Sequence, residues 1–139
     1  MGSALAQKFA QEGFKIILSD IAMNFVEKGL NNIKKSLNEG VQRKVFSDLT
    51  ANEILLRING TDNLNDLKNC DLVVEAIYED FKTKFDLFSI LDKIVDSDAI
   101  IATNTSSFSV TELSASVSNP QRFIGLHFFY HAAKNRLVE

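Results

Sequence analysis

The sequence contains few of the residues that cross-link or interrupt a chain, with one cysteine, one proline and no tryptophan among 139 residues. A single cysteine, Cys70, excludes an internal disulfide framework, so we expect it to pack as a small hydrophobe in an intracellular, cytoplasmic protein. No apolar run approaches the roughly 20 residues that a transmembrane helix needs. The first residues also lack the basic start and apolar centre of a secretory signal, so we expect no membrane association.

The sequence also lacks a strong excess of charge of one sign. Its 15 basic and 18 acidic residues give a net charge of -3 and are spread along the chain, so we expect no nucleic-acid partner. Hydrophobic residues make up 45% and charged residues 24%, which is typical of a globular protein. Without low-complexity segments or internal repeats, the sequence predicts one domain over residues 1–139.

Short apolar runs alternate with segments of helical period. This alternation is typical of an α/β fold in which helices cover both faces of a mostly parallel sheet. The predicted strands are Phe14–Ser19, Arg57–Gly60, Leu72–Ala76, Ala99–Thr103 and Phe123–Phe128.

Helices are predicted from apolar residues spaced three or four apart. One apolar stripe consists of Val26, Leu30, Ile33 and Leu37. A second helix, Asp80–Val95, carries Phe85, Phe88, Leu91 and Val95 on one face, with Lys82, Lys84, Asp86 and Asp92 on others. Two further helix starts are predicted by Ser/Thr–Glu pairs that can cap each other's backbone, namely Thr50 with Glu53 and Ser109 with Glu112.

The chain begins with Gly2 and a small-residue helix, Ser3–Gln11, followed by a strand that ends at Asp20. In a doubly wound sheet, a central strand and its glycine turn precede such a helix, so we expect that the first strand is missing. An acidic residue at the end of the second strand can hold the adenosine ribose hydroxyls and favours NAD over NADP. The alternative for Asp20 is that it merely caps a turn.

Charged and polar side chains follow two of the buried strands. Glu75, Glu79 and Lys84 lie at or after the end of the Leu72–Ala76 strand, where α/β sheets bind ligands. The alternative is that Glu79 and Asp80 only favour the helix N-terminus through its dipole. The polar run 104–107 (Asn-Thr-Ser-Ser) ends the next strand and is either a turn or part of a site.

A histidine, His127, lies near the end of the last predicted strand, and Glu139 follows twelve positions later. An imidazole with a carboxylate partner is a competent general base, because the carboxylate orients the ring and favours the imidazolium. The alternative is a core histidine without a catalytic role. His131 is the other histidine of the sequence.

Taken together and in this order, these motifs resemble the 3-hydroxyacyl-CoA dehydrogenase family, over Met1 to Leu126. The resemblance implies a Rossmann-type NAD-binding domain with a helical hairpin after the second strand. It also implies the following roles. Gly2 ends the phosphate turn, Asp20 holds the adenosine ribose, and Glu79 and Lys84 lie near the nicotinamide ribose. Ser106 touches cofactor and substrate, His127 is the base, Glu139 orients it, and Ser36 with Arg43 or Lys44 contacts coenzyme A.

By this resemblance, the reaction is the NAD-dependent oxidation of an L-3-hydroxyacyl-CoA to a 3-ketoacyl-CoA, without a metal. The family's helical C-terminal domain provides most of the dimer contact, so we expect the full-length protein to be a homodimer. The chain is then a fragment, and we expect it to be unstable and inactive alone, because a parallel sheet without its central strand has two unpaired edges.

The segment from Tyr130 to Arg136 departs from the family, which has asparagine and prolines there. Tyrosine cannot supply the asparagine's amide, and the missing prolines remove rigidity between His127 and Glu139. This departure keeps a second hypothesis open, a non-catalytic dinucleotide-binding or structural relative. A third, a dehydrogenase of small hydroxy acids, is disfavoured by the hairpin with Ser36 and Arg43.

Overall fold

The computed structural model describes residues 1–135 and 137–139, and Arg136 lies outside the described residues. The chain forms two compact units. The first comprises Met1–Asn63 with His131–Asn135, and the second comprises Leu64–Tyr130 with 137–139. Each is described by itself.

The first unit contains three helices and two parallel strands. These are α1 (Gly2–Gln11), β1 (Ile16–Ser19), α2 (Met23–Gln42), α3 (Asp48–Leu56) and β2 (Ile58–Thr61). Ile16 lies opposite Ile58, and Ser19 lies opposite Thr61. The predicted stripe of α2 faces inward, since Val26, Ile33 and Leu37 are buried and Leu30 is partly buried. The core of this unit consists of Ala6, Ala10, Ile33, Leu37, Ala51, Ile54 and Ile58.

The end of α1 is set by Gly13, whose φ of 98° lies in the left-handed region. Its N–H donates to Ala10 O at 3.1 Å, and the N–H of Phe14 donates to Phe9 O at 3.2 Å. This is the Schellman arrangement, in which glycine is favoured because it has no Cβ. The rings of Phe9 and Phe14 meet edge to face at 6.1 Å, the apolar contact that accompanies such helix ends. The chain is thereby turned into β1.

Helices α2 and α3 form the predicted helical hairpin. It follows β1, which is the second strand of the predicted sheet because the first is expected to be missing. The predicted start of α3 at Thr50 is wrong, because Ser47 is the N-cap and accepts a hydrogen bond from Thr50 N at 3.1 Å. A serine three residues earlier satisfies the exposed backbone N–H of Thr50 itself. At Ser109 the prediction is confirmed, since its hydroxyl accepts from Glu112 N at 3.3 Å.

The second unit contains three parallel strands and two α-helices. These are β3 (Leu72–Glu75), α4 (Phe81–Ile94), β4 (Ile100–Thr103), α5 (Val110–Ser114) and β5 (Phe123–Gly125), with short 3-10 helices at Leu64–Leu67 and Pro120–Arg122. The strand order is β3-β4-β5. Phe88 and Phe123 are buried and pack edge to face at 4.8 Å in the core.

The strand pairings agree with the predicted Rossmann-type topology. A complete doubly wound sheet has the strand order 3-2-1-4-5-6. In that order, strand 3 pairs with strand 2, and strands 4, 5 and 6 pair with one another, without contact to strand 1 except at strands 2 and 4. The observed sheets, β2 with β1 and β5 with β4 and β3, are these two groups, and all their pairings are parallel.

Candidate active site

The predicted site residues of the second unit lie at the carboxyl ends of its strands. Glu75 ends β3, Thr103 ends β4, and these residues pair in register. Thr103 is also in register with Gly125, the last residue of β5. Because the strands are parallel, the segments that follow them leave the same edge of the sheet, which is where open α/β sheets bind ligands.

Glu79 and Ser106 are brought together directly at this edge. Glu79 Oε1 accepts the backbone N–H of Ser106 at 3.0 Å and the hydroxyl of Thr105 at 2.8 Å. Partial burial alone would raise the pKa of this carboxyl, but the hydrogen bonds from Ser106, Thr105 and Lys84 lower it below its ordinary value. Glu79 is thus held as an anion, and its side chain is 40% exposed.

The two acidic residues that precede α4, Glu79 and Asp80, have different roles. Asp80 is the N-cap of α4, and its Oδ1 accepts from Thr83 N at 2.8 Å. The hydrogen bonds from Thr83 lower the pKa of the Asp80 carboxyl. The helix-end explanation therefore holds for Asp80, whereas Glu79 binds the turn after β4.

Lys84 is not where the helical pattern was expected to place it. The sequence predicted it on a face of α4 apart from the apolar stripe, but it is 1% exposed and lies on the buried face with Phe88 and Leu91. Spacings of four and seven residues put these three side chains on one stripe. Lys84 Nζ is 2.6 Å from Glu75 Oε1 and 3.1 Å from Glu79 Oε2, so ion pairing compensates its burial.

The 104–107 run forms a turn, which is one of the two interpretations that the sequence leaves open. Thr105, which is buried, accepts from Ser107 N at 3.4 Å and Phe108 N at 3.2 Å, as in a hydroxyl-stabilised turn. The same turn presents Ser106, which is exposed.

The strand predicted at Phe123–Phe128 ends earlier, at Gly125. Leu126 N still donates to Thr103 O at 2.9 Å, but beyond it the chain pairs with its own later residues instead of β4. His127 and Glu139 exchange backbone hydrogen bonds of 2.8 and 3.0 Å, and an antiparallel bridge joins Phe128 and Val138. His127 therefore lies in a loop rather than in a strand.

The side chains of His127 and Glu139 meet as the sequence predicted. His127 Nδ1 is 3.2 Å from Glu139 Oε1, and the two side chains are 23% and 70% exposed. The ring of His127 also lies 4.8 Å from that of Phe129, centroid to centroid. Because the backbone bridge holds Glu139, the pairing does not need the prolines that this segment lacks.

Asn104 is a site residue for which the sequence suggested no individual role. Its Oδ1 accepts the N–H of Phe128 at 2.8 Å and so ties the turn after β4 to the loop after β5. Its position in the sequence indicates such a role, because Asn104 is the first residue of a polar run that follows a buried strand. Glu75 was expected among the ligand-facing groups, but its side chain is 0% exposed, so it cannot face a ligand.

The remaining predicted site residues belong to the first unit. Gly2 is the first residue of α1, and Asp20 follows β1 with its carboxylate exposed. Oδ1 of Asp20 accepts from Ile21 N at 2.8 Å, which leaves Oδ2 available to a ligand hydroxyl.

The residues expected to contact coenzyme A lie along α2 and its following turn. Arg43 is the exposed C-cap of α2, and Lys44 is exposed in the turn with a φ of 59°. Ser36 precedes Arg43 by seven residues, about 10 Å along the helix axis. It is half-buried and lines a small cavity that includes Ser3, Gln7, Asn32 and His131.

Neither a membrane-spanning helix nor a metal-binding cluster is found in the described part of the chain. None of its helices is both long enough and apolar enough to cross a bilayer. Among the same residues, no cluster of three or more histidine, cysteine or acidic side chains has a geometry suited to a metal ion.

Comparison with known proteins gives one consistent family. The family described as 3-hydroxyacyl-CoA dehydrogenase, NAD binding domain, matches residues 1–139. A 3-hydroxybutyryl-CoA dehydrogenase of Clostridioides difficile is 39% identical over 139 residues, which are 100% of this chain and 50% of that protein. The fatty acid oxidation complex subunit alpha of Psychrobacter sp. is 34% identical, over 100% of this chain and 19% of that protein.

A solved structure is similar along the same length. The (S)-3-hydroxybutyryl-CoA dehydrogenase of Ralstonia eutropha superposes with a TM-score of 0.97 at 36% identity, covering 99% of this chain and 49% of that one. The chain thus spans about half the length of the dehydrogenases that it matches.

Proposed function

This chain belongs to the family of NAD-binding domains of 3-hydroxyacyl-CoA dehydrogenases, and from that premise we propose that it is the NAD-binding part of an enzyme that oxidises an L-3-hydroxyacyl-CoA to the 3-ketoacyl-CoA. NAD, when bound, supplies the acceptor for the hydride that leaves C3 of the substrate. The chain supplies the base, the groups that orient substrate and cofactor, and the electrostatic environment.

His127 is the proposed base. Its Nδ1–H donates to the Glu139 carboxylate 3.2 Å away, and this tautomer leaves Nε2 with the lone pair that accepts the substrate hydroxyl proton. The carboxylate stabilises the imidazolium that results. This side-chain pairing, supported by two backbone hydrogen bonds, is the observation that carries the proposal.

Each of the two units presents donors and acceptors that suit part of a dinucleotide. The exposed Asp20 carboxylate suits two ribose hydroxyls and repels a 2′-phosphate, which favours NAD over NADP. Gly2 opens α1, whose N-terminal end favours a pyrophosphate. Glu79 is anionic and 40% exposed, and it accepts hydrogen bonds from the hydroxyls of the nicotinamide ribose, while Lys84 holds Glu79 in place. Ser106, exposed beside Glu79, contacts both cofactor and substrate.

The hairpin residues are the proposed coenzyme A contacts. Arg43 and Lys44 are exposed cations, which suits the phosphates of coenzyme A, and Ser36 offers a hydroxyl two helical turns earlier. We expect Arg43→Ala to raise the KM for an acyl-CoA and to leave the affinity for NAD unchanged.

The test is a chimaera in which this chain replaces the matching residues of the Clostridioides difficile relative. We expect it to reduce acetoacetyl-CoA with consumption of NADH, and we expect His127→Ala to lower kcat by about 10² to 10⁴-fold, the usual contribution of a general base. An active chimaera whose rate is insensitive to His127→Ala would refute the assignment of the base.

A second function, a dinucleotide-binding relative without catalysis, is favoured by one observation. Tyr130, at the position of the family's asparagine, is 82% exposed and carries a phenol where the family has an amide. This proposal expects the chimaera to bind NAD without turnover and expects Tyr130→Asn to gain activity. Turnover by the chimaera with its own Tyr130 would exclude this second function.

A further inference from the structure

Glu75 is a buried carboxylate that the proposed reaction does not use. Three donors converge on it. Lys84 Nζ at 2.6 Å and the N–H of Ile77 at 2.7 Å reach Oε1, and the hydroxyl of Thr103 reaches Oε2 at 2.7 Å. Its side chain is 0% exposed. Glu75 can therefore influence a ligand only through the residues that it holds.

Lys84 connects the buried Glu75 to the partly exposed Glu79. Besides Glu75, its ammonium meets Glu79 Oε2 at 3.1 Å and the carbonyl oxygen of Ile77 at 3.4 Å. An ammonium has three N–H donors, and these three acceptors use all of them. Lys84 thus links the enclosed carboxylate of Glu75 to the partly exposed carboxylate of Glu79, and has no donor left for a ligand.

Thr103 provides a second route from Glu75 to the same turn. Because its hydroxyl proton goes to Glu75, its oxygen is free to accept the N–H of Thr105, at 3.3 Å. The hydroxyl of Thr105 in turn donates to Glu79 at 2.8 Å. The two routes meet at Glu79, which also holds the backbone N–H of Ser106 at 3.0 Å.

We propose that Glu75 is a positioning residue for cofactor binding, because it fixes Lys84 and Thr103 and, through them, the Glu79 carboxylate and the Ser106 backbone. The inference rests on the proposed function, in which Glu79 and Ser106 contact the nicotinamide half of NAD. It assigns the direct contact to Glu79 and makes Lys84 an internal link.

The test variant is Glu75→Gln in the chimaera that tests the proposed function, because the 139-residue chain alone is expected to be unstable. Glutamine keeps the shape of the side chain but removes the charge that anchors Lys84, so Glu79 and Ser106 lose their fixed arrangement. We expect hydrogen exchange at the Ser106 amide, followed by NMR, to become about tenfold faster, the factor that corresponds to one hydrogen bond with a charged group. In calorimetric titrations, the Kd for NAD should rise by a similar factor.

The matched control is Asp86→Asn on the outer surface of α4. It removes the same single negative charge and breaks an exposed pair with Lys82. We expect neither Ser106 exchange nor the Kd for NAD to change.

A double variant, Glu75→Gln with Lys84→Met, separates positioning from folding. It removes both buried charges, so its melting temperature should exceed that of Glu75→Gln alone. Ser106 exchange should stay fast and NAD binding weak. If Ser106 exchange and NAD binding return to their parent values together with the melting temperature, Glu75 acts only on stability and the inference is overturned.

The outcomes distinguish the inference from the proposed function. Ser106 exchange in Glu75→Gln equal to that of the parent chimaera refutes the positioning role, whatever happens to NAD binding. If Glu75→Gln speeds Ser106 exchange but the parent chimaera binds no NAD, the proposed function is refuted and the coupling between Glu75 and Ser106 is established.

Discussion

Glu139 meets His127 twice, once through the backbone and once through the side chain. The two residues exchange backbone hydrogen bonds of 2.8 and 3.0 Å, while Nδ1 of the imidazole lies 3.2 Å from the carboxylate. The backbone pair does not depend on the nature of either side chain. Substitution of the carboxylate can therefore remove its electrostatic effect without releasing the loop that carries His127.

Glu139→Gln tests this separation. The amide keeps the size of the side chain but removes the negative charge that favours the imidazolium, so we expect kcat of the chimaera to fall by about 10²-fold. The KM for acetoacetyl-CoA should stay within about twofold, because the loop is held by its backbone. Steady-state kinetics checks both values, and an unchanged kcat would contradict the orienting role.

Arg122 is expected to contribute strongly to the stability of the second unit. Its guanidinium lies 2.6 Å from Asp92 Oδ1 and also donates to carbonyl oxygens near the end of α4, at 2.6 Å to Asp96 and 3.3 Å to Ala99. Arg122→Met leaves the Asp92 carboxylate, which is only 13% exposed, without its cation, so the free energy of unfolding should fall by about 3–5 kcal/mol.

The control for Arg122→Met is Lys82→Met, which breaks the exposed pair with Asp86 on the same helix. Surface pairs contribute little, so we expect no measurable change in urea unfolding. Equal effects of the two substitutions would show that burial of the Arg122 pair is not what stabilises this unit.

The same pair predicts a pH dependence of stability. Partial burial alone would raise the pKa of the Asp92 carboxyl, but hydrogen bonds from Arg122 and Ser118 lower it below its ordinary value of 3.8. A pKa that is lower in the folded state gives stability that is present above the unfolded pKa and lost as the pH falls through the folded pKa. The stability difference between the parent chimaera and its Asp92→Asn variant should therefore be full at neutral pH and shrink below about pH 4. A difference that is constant down to about pH 2 in urea titrations would contradict the lowered pKa.

Gly60 is expected to be required by the close approach of α2 to β2 in the first unit. A Cβ there would lie 2.5 Å from Cγ1 of Val26, which is 1% exposed and, as a β-branched residue, has one preferred rotamer in a helix. We expect Gly60→Ala to lower the free energy of unfolding by about 1–3 kcal/mol. Adding Val26→Ala should make the combined loss smaller than the sum of the single losses.

Gly13→Ala is the matched control, because a Cβ at Gly13 would meet nothing within 4 Å but the φ of 98° disfavours alanine. Its cost of about 1–2 kcal/mol comes from the backbone alone. That cost should add to the effect of Val26→Ala without coupling. Additive behaviour at Gly60 as well would rule out the steric explanation.

The positions of strands were predictable because each has a short apolar run, but their ends were not. Four predicted strands contain the observed ones or overlap them to within two residues, as in Leu72–Ala76 against Leu72–Glu75. Phe123–Phe128 was too long by three residues because Leu126, His127 and Phe128 are apolar or aromatic like a strand. Leu126 still donates to Thr103, whereas His127 and Phe128 pair with the segment near Glu139, and this non-local pairing is not encoded in the local pattern.

The chemistry of the site was predictable in part. The pairing of His127 with Glu139 followed from residue type and family resemblance, and the geometry agrees. The burial of Lys84 runs against the prediction because a charged side chain favours an outward position, although its spacing from Phe88 already places it on the inner stripe. The sequence alone could not reveal that Glu75, from another element, compensates that burial.

The amide of Asn104 has a consequence for the timing of any reaction at this edge. By accepting the N–H of Phe128 at 2.8 Å, it couples the peptide that leads to Ser106 with the peptide that follows His127. We expect fluctuations of one segment to be transmitted to the other through this bond, so that the Ser106 hydroxyl and the His127 imidazole move together. Loss of this one bond would let the two groups fluctuate independently, and a correctly shaped site would spend less of its time aligned.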